Sequence, residues 1–191
     1  NEEIKFKSIV LATHYPIEAV KGLHLAKLSV DRSYLMATKT PELLKGQYIS
    51  CDQSSRTIRT ALVNQQPYFI FGGSSHIAGA VQNTQTYYET LEKELVSAFD
   101  LSKPEFLWSA QDPNTADYIP YVGRITSSEP RIYIATGYRK WGLSNSLVAG
   151  EIIATEITSG KHPAQHLYSP SRNLFGNTFM RMMKAIGFTV S

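Results

Sequence analysis

Residues 131–158 read RIYIATGYRKWGLSNSLVAGEIIATEIT, and the fold turns on this stretch. Ile132 to Ala135 is a short β-rich run and Thr136-Gly137 interrupts it. From Gly142 apolar residues return at helical spacing, at Leu143, Leu147, Ile152, Ile153 and Ile157. The order is strand, loop, helix. The first turn of such a helix leaves backbone N–H groups without intrahelical partners and with partial positive charge, so the loop suits an anion or an electron-rich heterocycle. The same unit is common in proteins where it binds nothing, so the surrounding sequence has to decide.

Working outward, a chain of 191 residues with 42% hydrophobic and 18% charged side chains can bury one sizeable core, with room for a smaller lobe. The net charge of +3 is small and the basic residues are scattered, which argues against nucleic acid as a partner. A single cysteine, Cys51, rules out an internal disulfide and fits a cytoplasmic setting. No apolar run is long enough to span a bilayer, so no membrane partner is expected. His24, His162 and His166 are not clustered, and no metal site is expected. Asn1 stands where a start methionine would, and the chain reads as a fragment of a longer protein.

Upstream, Ile4 to Thr13 reads as a strand entering a buried sheet, ended by His14-Tyr15-Pro16. Leu23 to Val30 and Arg32 to Thr38 read as two strands about a turn near Asp31, and Tyr48 to Cys51, Thr57 to Val63 and Tyr68 to Phe71 extend an antiparallel meander. Gly72-Gly73-Ser74-Ser75 is expected to break the sheet. Asn83 to Phe99 is an amphipathic helix with Tyr87, Leu91, Leu95 and Phe99 on one face. Glu105 to Ser109 reads as a strand, Ala110 to Tyr118 as a polar segment, and Tyr121 to Ile125 as a strand turning at Glu129-Pro130 into the opening stretch. Leu174 to Ile186 is a further amphipathic stretch, with Met182 and Met183 on its apolar side. The expected class is α+β, a mixed, mainly antiparallel β-sheet with flanking helices.

FLWSAQDPNTADYIPYVGRI (Phe106 to Ile125), followed by IYIATGYRKWGLSNSLVAGEI, resembles the C-terminal half of the FAD-dependent oxidoreductases of the D-amino-acid oxidase and glycine oxidase family. Trp108, Thr115, Asp117, Pro120 and Gly123 follow the order of that family's motif, and Gly137 to Gly142 matches its strand-loop-helix turn. FGGSSHIAG (Phe71 to Gly79) is similar to its substrate-domain pattern, and VLATHYP (Val10 to Pro16) sits where an upstream flavin-domain strand would end. The resemblance implies a substrate-binding lobe over residues 15–130, pieces of an FAD-binding lobe at 1–14 and 131–160, and a C-terminal extension over 161–191. The dinucleotide-binding GxGxxG turn does not occur in this sequence. A missing N-terminal Rossmann half is therefore the implied partner, beside a small-molecule substrate.

The activity so implied is oxidation of a C–N bond of an amine or amino-acid-like molecule, with FAD accepting the hydride. The fragment alone is expected to be inactive. By resemblance the cofactor-binding residues are Thr13, His14, Gly137, Tyr138, Gly142, Leu143 and Ser144, and the catalytic set is Asp112, Lys140 and Tyr48. Tyr34, Arg32 and Arg139 are weaker candidates for a polar wall over the flavin. A departure stands at Asp112, where amino-acid oxidases of this family place an arginine for the substrate carboxylate. Lys140 lies where a second such arginine sits, and it could pair with Asp112. The plainer reading of Asp112 and Asp117 is that they cap turns beside Pro113 and Tyr118. AQD with IPYVG, and KWG before the helix, most resemble a subgroup that continues past an SPSR-like stretch (Ser169 to Arg172) into a Rieske domain. A [2Fe–2S] cluster would then lie beyond Ser191, since this chain lacks the CxH and CxxH pairs. The alternative from another class is a non-catalytic binding module that keeps the fold.

Overall fold

The computed structural model describes residues 3–17, 27–52 and 55–172. The chain divides into two compact units, Asn1–Val30 with Asp112–Ser191, and Asp31–Gln111. Two sheets and the helices packed on them make an α+β architecture, as the sequence pattern implies.

The 31–111 unit is built on a five-stranded sheet in the order β3-β4-β5-β2-β6, with β2 Leu28–Lys39, β3 Tyr48–Ile49, β4 Thr57–Val63, β5 Gln66–Ile77 and β6 Phe106–Thr115. β3–β4, β4–β5 and β2–β5 pair antiparallel. Alternation along β2 turns Tyr34 and Met36 to one face, and Phe71 sits directly across from Met36. That face meets Leu91 and Leu95 of helix α1, Gln85–Phe99. Both leucines are fully buried, and each contributes about 1.5–3 kcal/mol by the usual area rule. Tyr87 and Phe99 continue the same row of the helix, stacking on Tyr34 and against Phe69. Asn83 lies before α1 rather than in it, and its Oδ1 accepts the Gln85 amide at 3.0 Å. Asp100, with φ 51°, ends the helix in the left-handed region.

The other unit holds a mixed three-stranded sheet in the order β1-β8-β7, formed by β1 Ile9–Leu11, β7 Tyr121–Arg124 and β8 Ile132–Thr136. β1 runs parallel to β8, and β7 runs antiparallel to it. β8 is covered on both faces, which is why it reads as an unbroken apolar run. Tyr133 and Ala135 meet Ala149, Ile152 and Ile153 of helix α2, Gly142–Thr158, while Ile134 packs with Leu28, Tyr121 and Ile125. A short helix α3, Gln165–Tyr168, follows.

Several expected boundaries are corrected. The first strand is three residues, not ten. β2 runs unbroken through Asp31, and its irregularity falls between Arg32 and Tyr34. Gly72 to Ser75 stays within β5, where Gly73 pairs with Tyr34 across the bulge. The polar segment from Ala110 continues β6 as far as Thr115. Leu23 to Ala26 and Leu174 to Ile186 lie outside the described residues.

Candidate functional site

β1 and β8 are parallel neighbours, so their C-terminal ends emerge side by side, and residues 13–14 come next to residues 136–137. Thr136 is buried and its hydroxyl donates to the His14 carbonyl, tying the two ends together. Thr13 Oγ1 donates to the Tyr15 carbonyl at 2.9 Å, and His14 takes a left-handed backbone with φ 64°. In open α/β sheets the crevice outside the carboxyl ends of parallel strands is where ligands sit.

Gly137 turns the chain out of β8 with φ 81°, and a Cβ built there would stand 2.6 Å from Thr115 Cγ2. Only glycine fits. Tyr138 bridges to Asn114 and packs into the apolar cluster under α2, where burial pushes its phenol pKa up. Arg139 and Lys140 then occupy consecutive left-handed positions, φ 51° and 77°, which side chains rarely adopt. Each is held there. The Arg139 amide donates to the Pro113 carbonyl and its guanidinium lies 4.0 Å over the Tyr118 ring. Lys140 Nζ reaches Asp112 Oδ2 at 2.5 Å, with the Asp112 side chain 15% and the Lys140 side chain 52% exposed. The pairing that the sequence left open therefore exists.

α2 begins at Gly142 with no side chain capping its first turn, so the amides at Gly142, Leu143 and Ser144 are the donor end of the helix dipole. Beside them Trp141 is 65% exposed, Leu143 95% and Leu147 78%. Leu143 and Leu147 lie one turn apart, an apolar strip that the described residues leave uncovered. The donor end and the strip together would accept a flat, partly apolar heterocycle with a polar edge.

Tyr48 belongs to the other unit, half-exposed on β3. Arg32 and Tyr34 are in that unit too, and Tyr34 donates to or accepts from His76 Nε2 at 2.7 Å within an aromatic stack. Asp117 accepts the Ile119 amide and a two-pronged grip from Arg172, with Nε–Oδ2 and Nη2–Oδ1 both 2.7 Å. Burial alone would raise its pKa, but the hydrogen bonds and charge of Arg172 outweigh that and hold it low. It anchors the turn that leads to β7. Thr136, Thr115 and Tyr118 also shape the site without being named as site residues by the sequence; Thr115 carries a signal through the family motif and Thr136 through its position, last in the strand before a glycine. Among the described residues no group of His, Cys, Asp or Glu could hold a metal ion, and no helix is long and apolar enough to cross a membrane.

The family model "FAD dependent oxidoreductase" matches residues 1–156. The putative Rieske 2Fe-2S iron-sulfur protein YhfW of Bacillus subtilis (strain 168) is 35% identical over 170 residues, which cover 88% of this chain and 33% of that protein. Among solved structures, glycine oxidase from Geobacillus kaustophilus superposes with a TM-score of 0.67 at 17% identity, over 88% of this chain and 46% of its own. Iminodiacetate oxidase from Chelativorans sp. BNC1 gives 0.63 at 16% identity, over 87% and 47%. The chain thus spans about a third of the curated relative and under half of each solved structure.

Proposed function

The chain belongs to the FAD-dependent oxidoreductase family, and from that membership we propose that it is the substrate-binding part, with the returning strand and helix of the cofactor lobe, of an enzyme that oxidises a C–N bond in an amine or amino-acid-like small molecule. Glycine oxidase and iminodiacetate oxidase, its structural neighbours, act by their names on molecules of that kind. One observation carries the reading: the uncapped start of α2 and its exposed apolar strip stand beside the paired ends of two parallel strands.

When bound, FAD supplies the redox chemistry by accepting a hydride from the carbon next to nitrogen. The amides of Gly142, Leu143 and Ser144 favour an electron-rich edge, through the positive end of the helix dipole. Gly137 lets the backbone approach closely where a side chain would intrude. Thr13 and His14 line the neighbouring strand end, and Tyr138 supports the loop from beneath. Asp112 and Lys140 recognise the substrate as a neutralised pair, which neither repels a carboxylate as a bare aspartate would nor attracts an amine by charge alone. Tyr48, in the other unit, keeps the catalytic role that the family resemblance implies for it. The Rossmann half that grips the rest of the cofactor belongs to the longer protein. A [2Fe–2S] cluster, in keeping with the name of the B. subtilis relative, is assigned beyond Ser191, because Cys51 is the sole cysteine of this chain and cannot furnish two thiolates.

The full-length protein tests this directly. Its visible spectrum should carry flavin absorption, and Leu143→Glu, which places a charge on the strip, should lower flavin content without unfolding the protein. A colourless full-length protein, or full flavin occupancy in the variant, counts against the reading.

A further inference from the structure

A cavity of about 200 Å³ runs along the outer edge of β7, walled by Gly123 and Arg124 of that strand, Glu156 of α2, and Gln165, Ser169 and Ser171 of the segment after it. Glu156 lies 14 residues beyond Gly142, the first residue of α2, about 20 Å along the axis at 1.5 Å per residue, so this feature is separate from the Gly137 loop. Its side chain is unusual. Glu156 is only 3% exposed, and neither carboxylate oxygen has a hydrogen-bond partner among the described residues. Buried polar groups almost always have one, and each exception calls for an explanation. The carboxylate also sits in the last turn of its helix, at the negative end of the dipole, where an anion is disfavoured and a cation is welcome.

The surroundings keep this space open without neutralising it. A Cβ on Gly123, whose φ is 127°, would lie 3.1 Å from Glu156 Oε1 and 3.6 Å from Pro170 Cδ. Burial raises the Glu156 pKa, while the charge of Arg124, its backbone amide and His162 pull the other way without closing a hydrogen bond. Each nearby cation is engaged elsewhere. Arg124 bonds the Tyr133 side chain, His162 faces Glu151 at 3.5 Å, Lys27 donates to the Pro170 carbonyl, and Arg172 grips Asp117.

The geometry points to a binding site for a guanidinium group, which would offer paired N–H donors to both oxygens of Glu156 and its remaining donors to Ser169, Ser171 and Gln165. A metal ion fits poorly, with one carboxylate and no ligand cluster among the described residues. An ammonium is a point charge that cannot match both oxygens in one plane. An anion is repelled by the carboxylate and by the helix end. The volume is enough for a compact planar cation and its contacts. Both oxygens are covered in this structure, so binding requires the carboxylate to turn toward the cavity. The guanidinium can come from a free guanidino compound or from an arginine side chain of the same protein.

The test uses the full-length holoprotein with methylguanidinium as probe, and compares wild type with Glu156→Gln. For a free guest, calorimetric titration gives one-site binding that the variant weakens by about tenfold, as expected for losing a charge-assisted pair. If an arginine of the protein fills the site, the probe does not bind, but the wild-type Tm minus the variant Tm grows as pH rises toward the unfolded carboxylate value of 4.5, because a paired carboxylate is held ionised below it. An empty pocket behaves oppositely. Its unpaired carboxyl holds a proton more tightly than the unfolded chain does, so wild type loses ground to the variant as pH rises. A flat or falling difference with no probe binding, or binding that the variant leaves unchanged, overturns the proposal.

Discussion

Gly137→Ala isolates the turn on which the site depends. Its φ of 81° is a left-handed conformation that costs an L-residue roughly 1–2 kcal/mol. The new Cβ also meets Thr115 Cγ2 at 2.6 Å, in a buried place where overpacking costs roughly 1–3 kcal/mol. Against this, alanine stiffens the unfolded chain and returns about 0.4–1 kcal/mol. The net expectation is a destabilisation of about 1.5–4 kcal/mol, a large share of the roughly 5–15 kcal/mol typical of a folded protein. Thr115→Ser removes the methyl that collides and leaves the backbone conformation alone. In that background the same glycine substitution should cost only the conformational part, about 1 kcal/mol after the offset. The assay is a double-mutant cycle on the full-length protein, by denaturant midpoint with flavin content read in parallel. A coupling energy near zero between the two substitutions would refute the steric argument, and an unperturbed Gly137→Ala single variant would refute both parts of it.

Three further outcomes follow from contacts already described. Arg172→Ala leaves Asp117 half-stripped in a site where the two side chains are 9% and 21% exposed, and should cost roughly 2–4 kcal/mol in urea unfolding; a loss comparable to a surface pair would mean that the grip is idle. Asp112→Asn or Lys140→Met should change stability by about 1 kcal/mol or less, since Lys140 is half-exposed, yet raise KM for a zwitterionic substrate in the full-length enzyme; unchanged kinetics would reduce the pair to scaffolding. Asp117 and Glu94 have pKa values held below the ordinary carboxylate range, Asp117 by Arg172 against the pull of burial and Glu94 by its hydrogen bonds from Arg56. Their stabilisation is fully present above the unfolded values of 3.8 and 4.5 and is lost as pH falls through the lower folded ones, so Tm should drop on acidification, and less steeply in an Asp117→Asn, Glu94→Gln double variant.

How much of this was legible in the sequence depends on the range of the interaction. The switch from period two to period 3.6 at Thr136-Gly137 is local, and β8 and α2 fall where it puts them. β4 likewise has the expected ends, Thr57 and Val63, because polar turns flank an alternating run. Asp31 and Gly72-Gly73 look like breaks by composition, yet β2 and β5 pair along the whole of that stretch and absorb the irregularity in one register shift between Arg32 and Tyr34. Tertiary pairing outweighs local propensity. In the site, the Asp112–Lys140 contact is suggested only by the family pattern, because 28 residues separate the partners and no periodicity links them. The bond from Thr136 to His14 crosses 122 residues and leaves no trace in the pattern.

The two long helices among the described residues locate the working end more sharply than any single contact. α1 obeys local rules: Asn83 covers its first amide, its row from Tyr87 to Phe99 is packed, and a left-handed residue closes it. α2 obeys them only in its second half, where Ala149, Ile152 and Ile153 are buried. Its first half lacks a capping side chain, follows two left-handed non-glycine residues, and shows Trp141, Leu143 and Leu147 to solvent. A missing cap costs about 0.5–2 kcal/mol, and each left-handed residue roughly 1–2 kcal/mol. Asp112, Tyr118 and the Pro113 carbonyl are positioned to hold that costly loop in place. A protein that concentrates local conflicts at one helix end, and braces them from outside, is keeping that end for work that folding does not require. On the proposed reading, that work is to receive a ring system with one polar edge, which an uncapped helix start beside an apolar strip would suit.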